Sequence, residues 1–361
     1  MRIGATLAIA VTAAFAAGDA GASSAINTAG AAGAYHTSFC PAIVERLAAA
    51  RFDYACVTSA GSAENMRRVA RNPQELGYAQ ADVFALENAA LGGSEAFIKI
   101  RVDDIRECLF ALTRNPDIQN WGEIAVFASK LKFFLPPQGS GSAGTFRFLQ
   151  RIDADGLGRA GSVHYANSTE EAIRLALSAD DGVSLFVQFP DPDNERFRLI
   201  EELGGRVVAV IDRNILRQHV DGQKIYFAQE TQVTRAGWLK SARKVVTACT
   251  PLVLFTGASE RIGEEKARLD HRDMIATLRA LRPEETMAQP AILTRMWRRA
   301  KEISASSVNR LMQLTDEARS RARPLFDKAR DATGKAYEKA KEGLRDLRDM
   351  TEGGGSPGPK Q

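Results

Sequence analysis

Three features of the sequence predict an α/β fold. Strand-like apolar runs alternate with amphipathic helical segments from about residue 33 to 282, the order that α/β sheets require. Several of the junctions carry Gly/Ser turns, the usual connection from a strand into a helix. At 361 residues, 45% hydrophobic and 25% charged, the chain can bury the cores of two ordinary domains, and its composition excludes bulk disorder.

Met1 to Ala25 precede the alternation and read as a secretory signal. Arg2 is a minimal positive start, Ile3 to Ala17 a short apolar stretch, and Ala20-Gly21-Ala22 a small-residue cleavage site. A membrane-spanning helix needs about 20 apolar residues, and this stretch breaks at Gly18-Asp19. No cysteine near the cleavage site offers a lipid attachment point.

"HTSFCPAIVERLAAARF" places Ile43, Val44, Leu47 and Ala48 at helical spacing after a loop over 30–36. "DYACVTSAGSAENMRRVA" gives a short strand, the turn Ser59-Ala60-Gly61-Ser62 and a helix with Ser62 as N-cap. In that helix Glu64 is a first-turn acid favoured by the helix dipole. "ELGYAQADVFALENAAL" repeats the pattern, its strand running through Tyr78-Ala79 into Gln80-Ala81-Asp82. "ECLFALT" and "EIAVFAS" read as strands or buried apolar runs, and "KLKFFLPPQGSGSAGTFRFLQRI" as strand, loop and helix. Next come a helix at "STEEAIRLALSA", the buried strand "GVSLFVQFP", a helix over "NERFRLIEEL" and the strand "GRVVAVI". "QKIYFAQETQV", the strand-like "VVTACTPLVLFTGA" and the amphipathic helix "ERIGEEKARLDHRDMIATLRAL" complete the body, with sheets of parallel type.

From Pro290 the texture changes. Thr286 to Gln361 carries 16 Lys+Arg against 10 Asp+Glu, a net +6, while the rest of the chain, with 32 against 34, is −2. This basic amphipathic tail, 286–361, contains an 11-residue repeat starting at Leu314, Leu325, Ala336 and Leu347, with Ala318, Ala329 and Ala340 in phase. Eleven residues make three helical turns, so the narrow apolar stripe stays on one face. Pro324 is expected to kink or split the helix. Packing back on the body, lying on anionic lipid headgroups and docking a partner all fit such a helix.

In an oxidising compartment the even number of cysteines invites disulfides, and four allow three connectivities. Cys40–Cys56, across a helix-to-strand turn, is favoured, leaving Cys108–Cys249; four buried free thiols are the alternative. His36 and Cys40 stand at i, i+4, but no second pair follows at ligand spacing, so no metal site is expected.

Gly139 to Gly144, "GSGSAG", matches a dinucleotide-binding fingerprint letter for letter. The acid needed about 20 residues on is missing, since Asp153 and Asp155 come too soon, and no lysine makes it a phosphate loop. What remains is general: backbone N–H groups at a helix N-terminus, with the hydroxyls of Ser140 and Ser142, attract an anion. Ser59 to Ser62 and the loop at Tyr35-His36 are two further sites of this kind, each of which can equally be a well-capped helix. No G-x-S-x-G stands with Ser/His/Asp order and no paired carboxylates share a loop; His164, His219 and His271 lie in unremarkable contexts. The chain is read as a binding protein rather than an enzyme, with no cofactor and no nucleic-acid partner.

"GAYHTSFCPAIVERL", "VTSAGSAENMRRV", "LGYAQADVFAL" and "PPQGSGSAGTFRFLQ", in that order, resemble the TAXI family, the TRAP-associated extracytoplasmic immunogenic solute receptors. That family reads approximately G-x-Y-Y-P, S-x-G-S-x-E-N, G-x-x-Q-x-D and G-x-x-G-S-G-T. The resemblance covers about residues 30 to 280. It implies a two-lobe type II periplasmic binding-protein fold, here with a C-terminal helical extension, in which the chain crosses twice between α/β lobes that close on a ligand. Lobe 1 is expected from 26–112 plus 232–285 and lobe 2 from 113–231. By position the ligand-facing residues are Tyr35, His36, Ser59, Gly61, Ser62, Gln80, Asp82, Gly139, Ser140, Gly141 and Ser142, with Phe189 on the later cleft loop. Tyr35-His36-Thr37 stands for the family's Tyr-Tyr-Pro, and Ser142 for its threonine. The implied function is periplasmic capture of a small organic anion, a dicarboxylate or acidic amino acid, for the subunits of a TRAP-type membrane transporter. The alternative is an envelope ligand-sensing or adaptor protein that docks a partner or a membrane surface through its tail.

Overall fold

The computed structural model describes residues 23–191, 193–234, 241–288 and 301–352. Residues 1–22, which hold nearly all of the expected signal segment, lie outside them, as do 289–300 and 353–361 of the tail.

A strand that the sequence did not predict, β1 (Ser24–Asn27), comes first, and its first two residues fall inside the expected signal segment 1–25. From α1 on, the first half alternates as expected: α1 (Cys40–Ala49), β2 (Tyr54–Val57), α2 (Ser62–Arg71), β3 (Leu76–Gln80), α3 (Ala81–Leu91). β1 lies between β2 and β3, parallel to both. A 17-residue strand, β4 (Phe97–Thr113), then leads into the second half: α4 (Trp121–Phe127), β5 (Lys132–Leu135), α5 (Gly141–Ile152), β6 (Ser162–Tyr165), α6 (Thr169–Leu177), β7 (Gly182–Gln188), α7 (Glu195–Glu202), β8 (Arg206–Ala209) and α8 (Arg213–Leu216). β5 runs parallel to both β6 and β7. After β9 (His219–Val220), β10 (Gln223–Lys224) and β11 (Phe227–Gln232), a second long strand, β12 (Lys244–Gly257), returns to the first half and ends at α9 (Glu265–Ala280). β13 (Lys301–Glu302) pairs with β11, and α10 (Ala305–Glu352) closes the chain.

Two antiparallel strands therefore serve both halves. The N-terminal part of β4, up to Asp103, pairs with the C-terminal part of β12, which also pairs with β3; the C-terminal part of β4 pairs with β7 and β8. The result is an α/β body of two halves joined by one continuous sheet, with a C-terminal helix; the sheet is mixed rather than purely parallel, because each crossing strand must run back against its neighbours. Pro251 sits in β12 without breaking a ladder: β11 pairing ends at Cys249, β3 pairing begins at Leu252, and the register slips between Pro251 and Leu252.

"EIAVFAS", read as strand or buried run, is helix α4 and a following turn. The overlooked signal is a capping box: the Asn120 side chain accepts from the Glu123 N–H, and the Glu123 carboxylate accepts from the Asn120 N–H. Both expected disulfides are present. Cys40–Cys56 ties α1 to β2, and Cys108–Cys249 joins directly opposed residues of the two crossing strands.

One core cluster spans the two halves, packing Phe84, Phe97 and Phe255 of the first with Trp121, Phe133 and Phe146 of the second. A second cluster lies under the first sheet and includes Tyr35, Phe39, Leu76, Tyr78 and Met274. The initial turns of α10 pack on α4, burying Thr315, Ala318, Ala322 and Phe326. Helix α10 runs on through Pro324, where a kink or split is expected from the sequence. Pro324 is exposed, so water can satisfy the carbonyl that its missing N–H leaves free.

Candidate ligand cleft

Two helix N-termini meet where the halves face each other. Gly61, the residue before α2, has φ +128°, and a Cβ there would stand 3.1 Å from both the Ser140 Cα and the Gly141 N at the start of α5. Only glycine tolerates both that backbone angle and that approach. The Glu64 N–H donates to the Gly139 carbonyl at 3.1 Å, so the first turn of α2 is hydrogen-bonded as well as packed to the loop before α5.

The expectation that Ser62 caps α2 is corrected. Gly61 holds the cap position, and Ser62 is the first helical residue, its hydroxyl donating to Gln80 Oε1 at 2.6 Å. The Ala60 N–H is taken by the Glu64 carboxylate at 2.7 Å instead. Burial works against the charge on Glu64, but that N–H and the paired Arg68 hold its carboxyl below the usual range. On α5, Ser140 is a true N-cap, accepting from the Ala143 N–H at 3.2 Å. The Ser142 hydroxyl oxygen accepts from the Val187 N–H at 2.9 Å and ties α5 to β7.

Below these loops lies a buried polar chain. Gln80, at the end of β3, donates from Nε2 to Glu107 Oε2 at 2.7 Å, and Tyr35 Oη donates to the same oxygen at 2.5 Å. Beside it, Asp82 Oδ2 accepts from Thr145 Oγ1 of α5 at 2.6 Å and from Tyr226 Oη at 2.7 Å, joining α3 to the second half. Asp82 and Thr145 are fully buried. Around Tyr35 the rings of Tyr78, Phe39 and Phe189 pack at centroid distances of 5.4, 6.3 and 6.2 Å.

Burial sets the electrostatics. It pushes the Glu107 carboxyl up to about 7; the hydrogen bonds from Tyr35 and Gln80 oppose the shift, Asp82 adds to it, and Arg196 draws it down. Asp82 is likewise raised by burial, against the pull of Thr145 and Tyr226. Burial and the adjacent carboxylates push the phenols of Tyr35 and Tyr226 well above their ordinary range, so both remain donors.

The structure thus brings Tyr35, Ser62 and Gln80 together at one point, and Gly61, Gly139, Ser140 and Gly141 together at the mouth above it. His36 turns away, its Nδ1 bonded to Thr28 Oγ1 at 3.1 Å. Ser59 is bonded to Asn65 and to the Thr28 carbonyl. The residue that sequence reasoning missed is Glu107, together with its neighbours Tyr226, Thr145 and Arg196. Its signal is faint: "RECLFALT" places an acid before an apolar run, but β4 also carries Lys99, Arg101, Asp103, Asp104 and Arg106, so nothing in the sequence marks Glu107 as the buried one. Among the described residues no group of His, Cys, Asp and Glu could hold a metal ion, and no helix is long and apolar enough to cross a membrane.

No protein-family model and no curated protein sequence matches the chain. Among solved structures, MatC from Rhodopseudomonas palustris with bound malate is similar at 15% identity and a TM-score of 0.42, over 84% of this chain and 98% of that one. A periplasmic transporter structure matches at 11% identity and a TM-score of 0.41, over 86% and 98%. A TctC solute-binding protein from Polaromonas matches at 11% and 0.36, over 85% and 98%.

Proposed function

We propose that the chain is a periplasmic solute-binding protein, exported by the segment 1–25, that captures a small organic anion of the dicarboxylate or acidic amino acid class for a TRAP-type membrane transporter. Lobe 1 comprises 26–112 plus 232–285 and lobe 2 comprises 113–231, with the solute held between them and no catalysis involved. The observation that carries the ligand class is the convergence of Tyr35 and Gln80, the latter steadied by Ser62, on a single carboxylate oxygen. Two donors from separate segments meet on one carboxylate oxygen, that of the chain's own Glu107, which supports a carboxylate as the ligand group. Gly61, Gly139, Ser140 and Gly141 form the mouth; Asp82 and Phe189 line its floor and side; His36, Ser59 and Ser142 support the loops from behind.

The test is a thermal-shift panel of dicarboxylates, acidic amino acids and phosphonates on the purified chain, followed by native mass spectrometry of whatever it carries. A ligand raises the melting temperature by mass action, by a free energy of about 2.7 kcal/mol at 100 times its Kd. No shift across the panel and no bound small molecule would remove the proposal.

A second reading, an envelope adaptor, draws on α10. Leu314 and Leu325, eleven residues apart and so on one face, are 50% and 64% exposed although the same helix buries Phe326. Co-purification of an envelope partner that is lost on Leu314→Ser and Leu325→Ser, with solute binding unchanged, would favour it.

A further inference from the structure

We infer that Glu107 is a built-in occupant of the cleft's carboxylate seat, a side chain that an incoming solute carboxylate must displace before it can reach Tyr35 and Gln80. The solute part of this inference rests on the function proposed above; the seat itself does not.

The seat is defined by its donors. Tyr35 Oη and Gln80 Nε2 both point at Glu107 Oε2, and Ser62 fixes the orientation of the Gln80 amide by donating to its Oε1. An amide so held presents its NH2 to the seat and can serve only an acceptor there. The first turn of α5 closes the far wall: a Cβ on Gly141 would come within 2.1 Å of Gln80 Oε1. Two buried donors on one oxygen, beside the first turn of α5, make a seat for an acceptor such as a carboxylate.

The backbone beneath Glu107 is pinned. Glu107 is paired with Thr250 across the crossing strands, and the next residue, Cys108, is bonded to Cys249. Release is therefore a rotation of the Glu107 side chain rather than a movement of β4. Four groups govern it: Tyr35 from the helical turn Tyr35–Phe39 that runs into α1, Gln80 from β3, Asp82 from α3, whose charge repels, and Arg196 from α7, whose charge attracts. Arg196, near the start of α7, has its side chain 28% exposed and bonded to Glu170 and Gln188, and supplies the cation toward which a displaced Glu107 can turn.

The test empties the seat. In Glu107→Ala, acetate or formate should refill it: the melting temperature of the variant should rise saturably by several degrees over about 1–100 mM of either salt. Chloride at equal ionic strength should not do this, and the wild-type chain should not respond to acetate. The variant should also bind any dicarboxylate that the wild type binds at least about tenfold more tightly, because no internal competitor remains. Should the variant not fold in plain buffer, refolding in acetate against equal chloride decides the matter. Folding only with the carboxylate supports the seat; failure in both overturns it. A folded variant indifferent to acetate and formate, or a wild type that responds equally, also overturns it. If Glu107→Ala takes acetate while neither protein binds any larger solute, the seat stands and the proposed receptor function falls.

Discussion

Tyr35 donates its phenolic proton to Glu107 across 2.5 Å, linking the helical turn Tyr35–Phe39 that runs into α1 with the strand that crosses between the two halves. The bond is buried, and it lies between the ring cluster of Tyr78, Phe39 and Phe189 on one side and the Gln80 amide on the other. It joins the residues before α1 to the crossing strand β4, so the charge on Glu107 bears on stability.

That coupling predicts a pH profile. Glu107 ionises near 4.5 when unfolded and near 7 when folded. Between those values the folded chain keeps a proton that the unfolded chain has lost. The group's contribution is thus most favourable below about pH 4.5, declines as pH rises to about 7, and is then constant, for a total on the order of 3 kcal/mol. The facing groups are Asp82, whose raised carboxyl adds a slope of the same sign, and Arg196, which reduces it. Urea unfolding at a series of pH values should give Glu107→Gln a flatter profile than the wild type from pH 4.5 to 7; parallel profiles would exclude the assignment.

His271 works in the opposite direction. Its ring nitrogens bond to Thr256 Oγ1 at 2.8 Å and Ser259 Oγ at 2.9 Å, and burial lowers its pKa to about 4 against weaker opposition from Glu260 and Pro73. The folded chain holds the ring neutral where the unfolded chain, near 6.5, would protonate it. The stability it contributes is complete above about 6.5 and lost as pH falls toward 4, again on the order of 3 kcal/mol. In the wild type the two slopes partly cancel between pH 4.5 and 6.5. His271→Asn should leave the Glu107 slope exposed, which the same unfolding series will detect.

The mouth of the cleft gives two glycine predictions with different outcomes. Gly61→Ala forces a side chain into φ +128° against the backbone of Ser140 and Gly141 and should cost about 1–3 kcal/mol, read as a lower urea midpoint. In Gly141→Ala the new methyl meets the far end of the Gln80 side chain, which can move. Stability should change less, but the Ser62–Gln80–Glu107 chain breaks, so solute affinity should fall by more than stability does.

How far the sequence could be read follows from where its signals lie. Alternating patterns and Gly/Ser turns mark α1 to α3 and, in the second half, β5, α5, α6, β7 and α7, whereas β1 and β6, four residues each, are too short to show a pattern and go unread. Helix α4 escaped because its seven residues are too short for a helical period to show and only the Asn120–Glu123 box marks its start. The loops of the cleft were legible as glycines and serines, since backbone approach demands those residue types. Glu107 was not, because its partners are 72 and 27 residues distant and only the crossing of β4 brings them together. Likewise, Ser140 and Ser142 looked like free donors, yet one caps α5 and the other holds β7. Ser140→Ala should therefore cost about 1 kcal/mol of stability whatever it does to binding.

The contacts made by the first turns of α10 yield the last prediction. There Arg319 bonds to Asp212 at 2.9 Å and Asp153 at 3.1 Å, Arg213 pairs with Asp316, and Phe326 packs on Phe127 beneath Lys130 and Arg159. Asp153 and Asp212 are buried, so removing Arg319 leaves two carboxylates without their cation. Arg319→Ala should cost on the order of 2 kcal/mol, since the guanidinium is itself partly solvated, and Phe326→Ala about 3 kcal/mol through the cavity it opens. Truncation after Gln313 should combine these losses and lower the melting temperature by several degrees or more, whereas truncation after Asp331 keeps every one of these contacts and should leave it unchanged. Loss of stability only in the chain ending at Gln313 would mark the first turns of α10 as part of the body. Equal loss in both truncations would show that the repeats beyond Asp331 also hold the fold together.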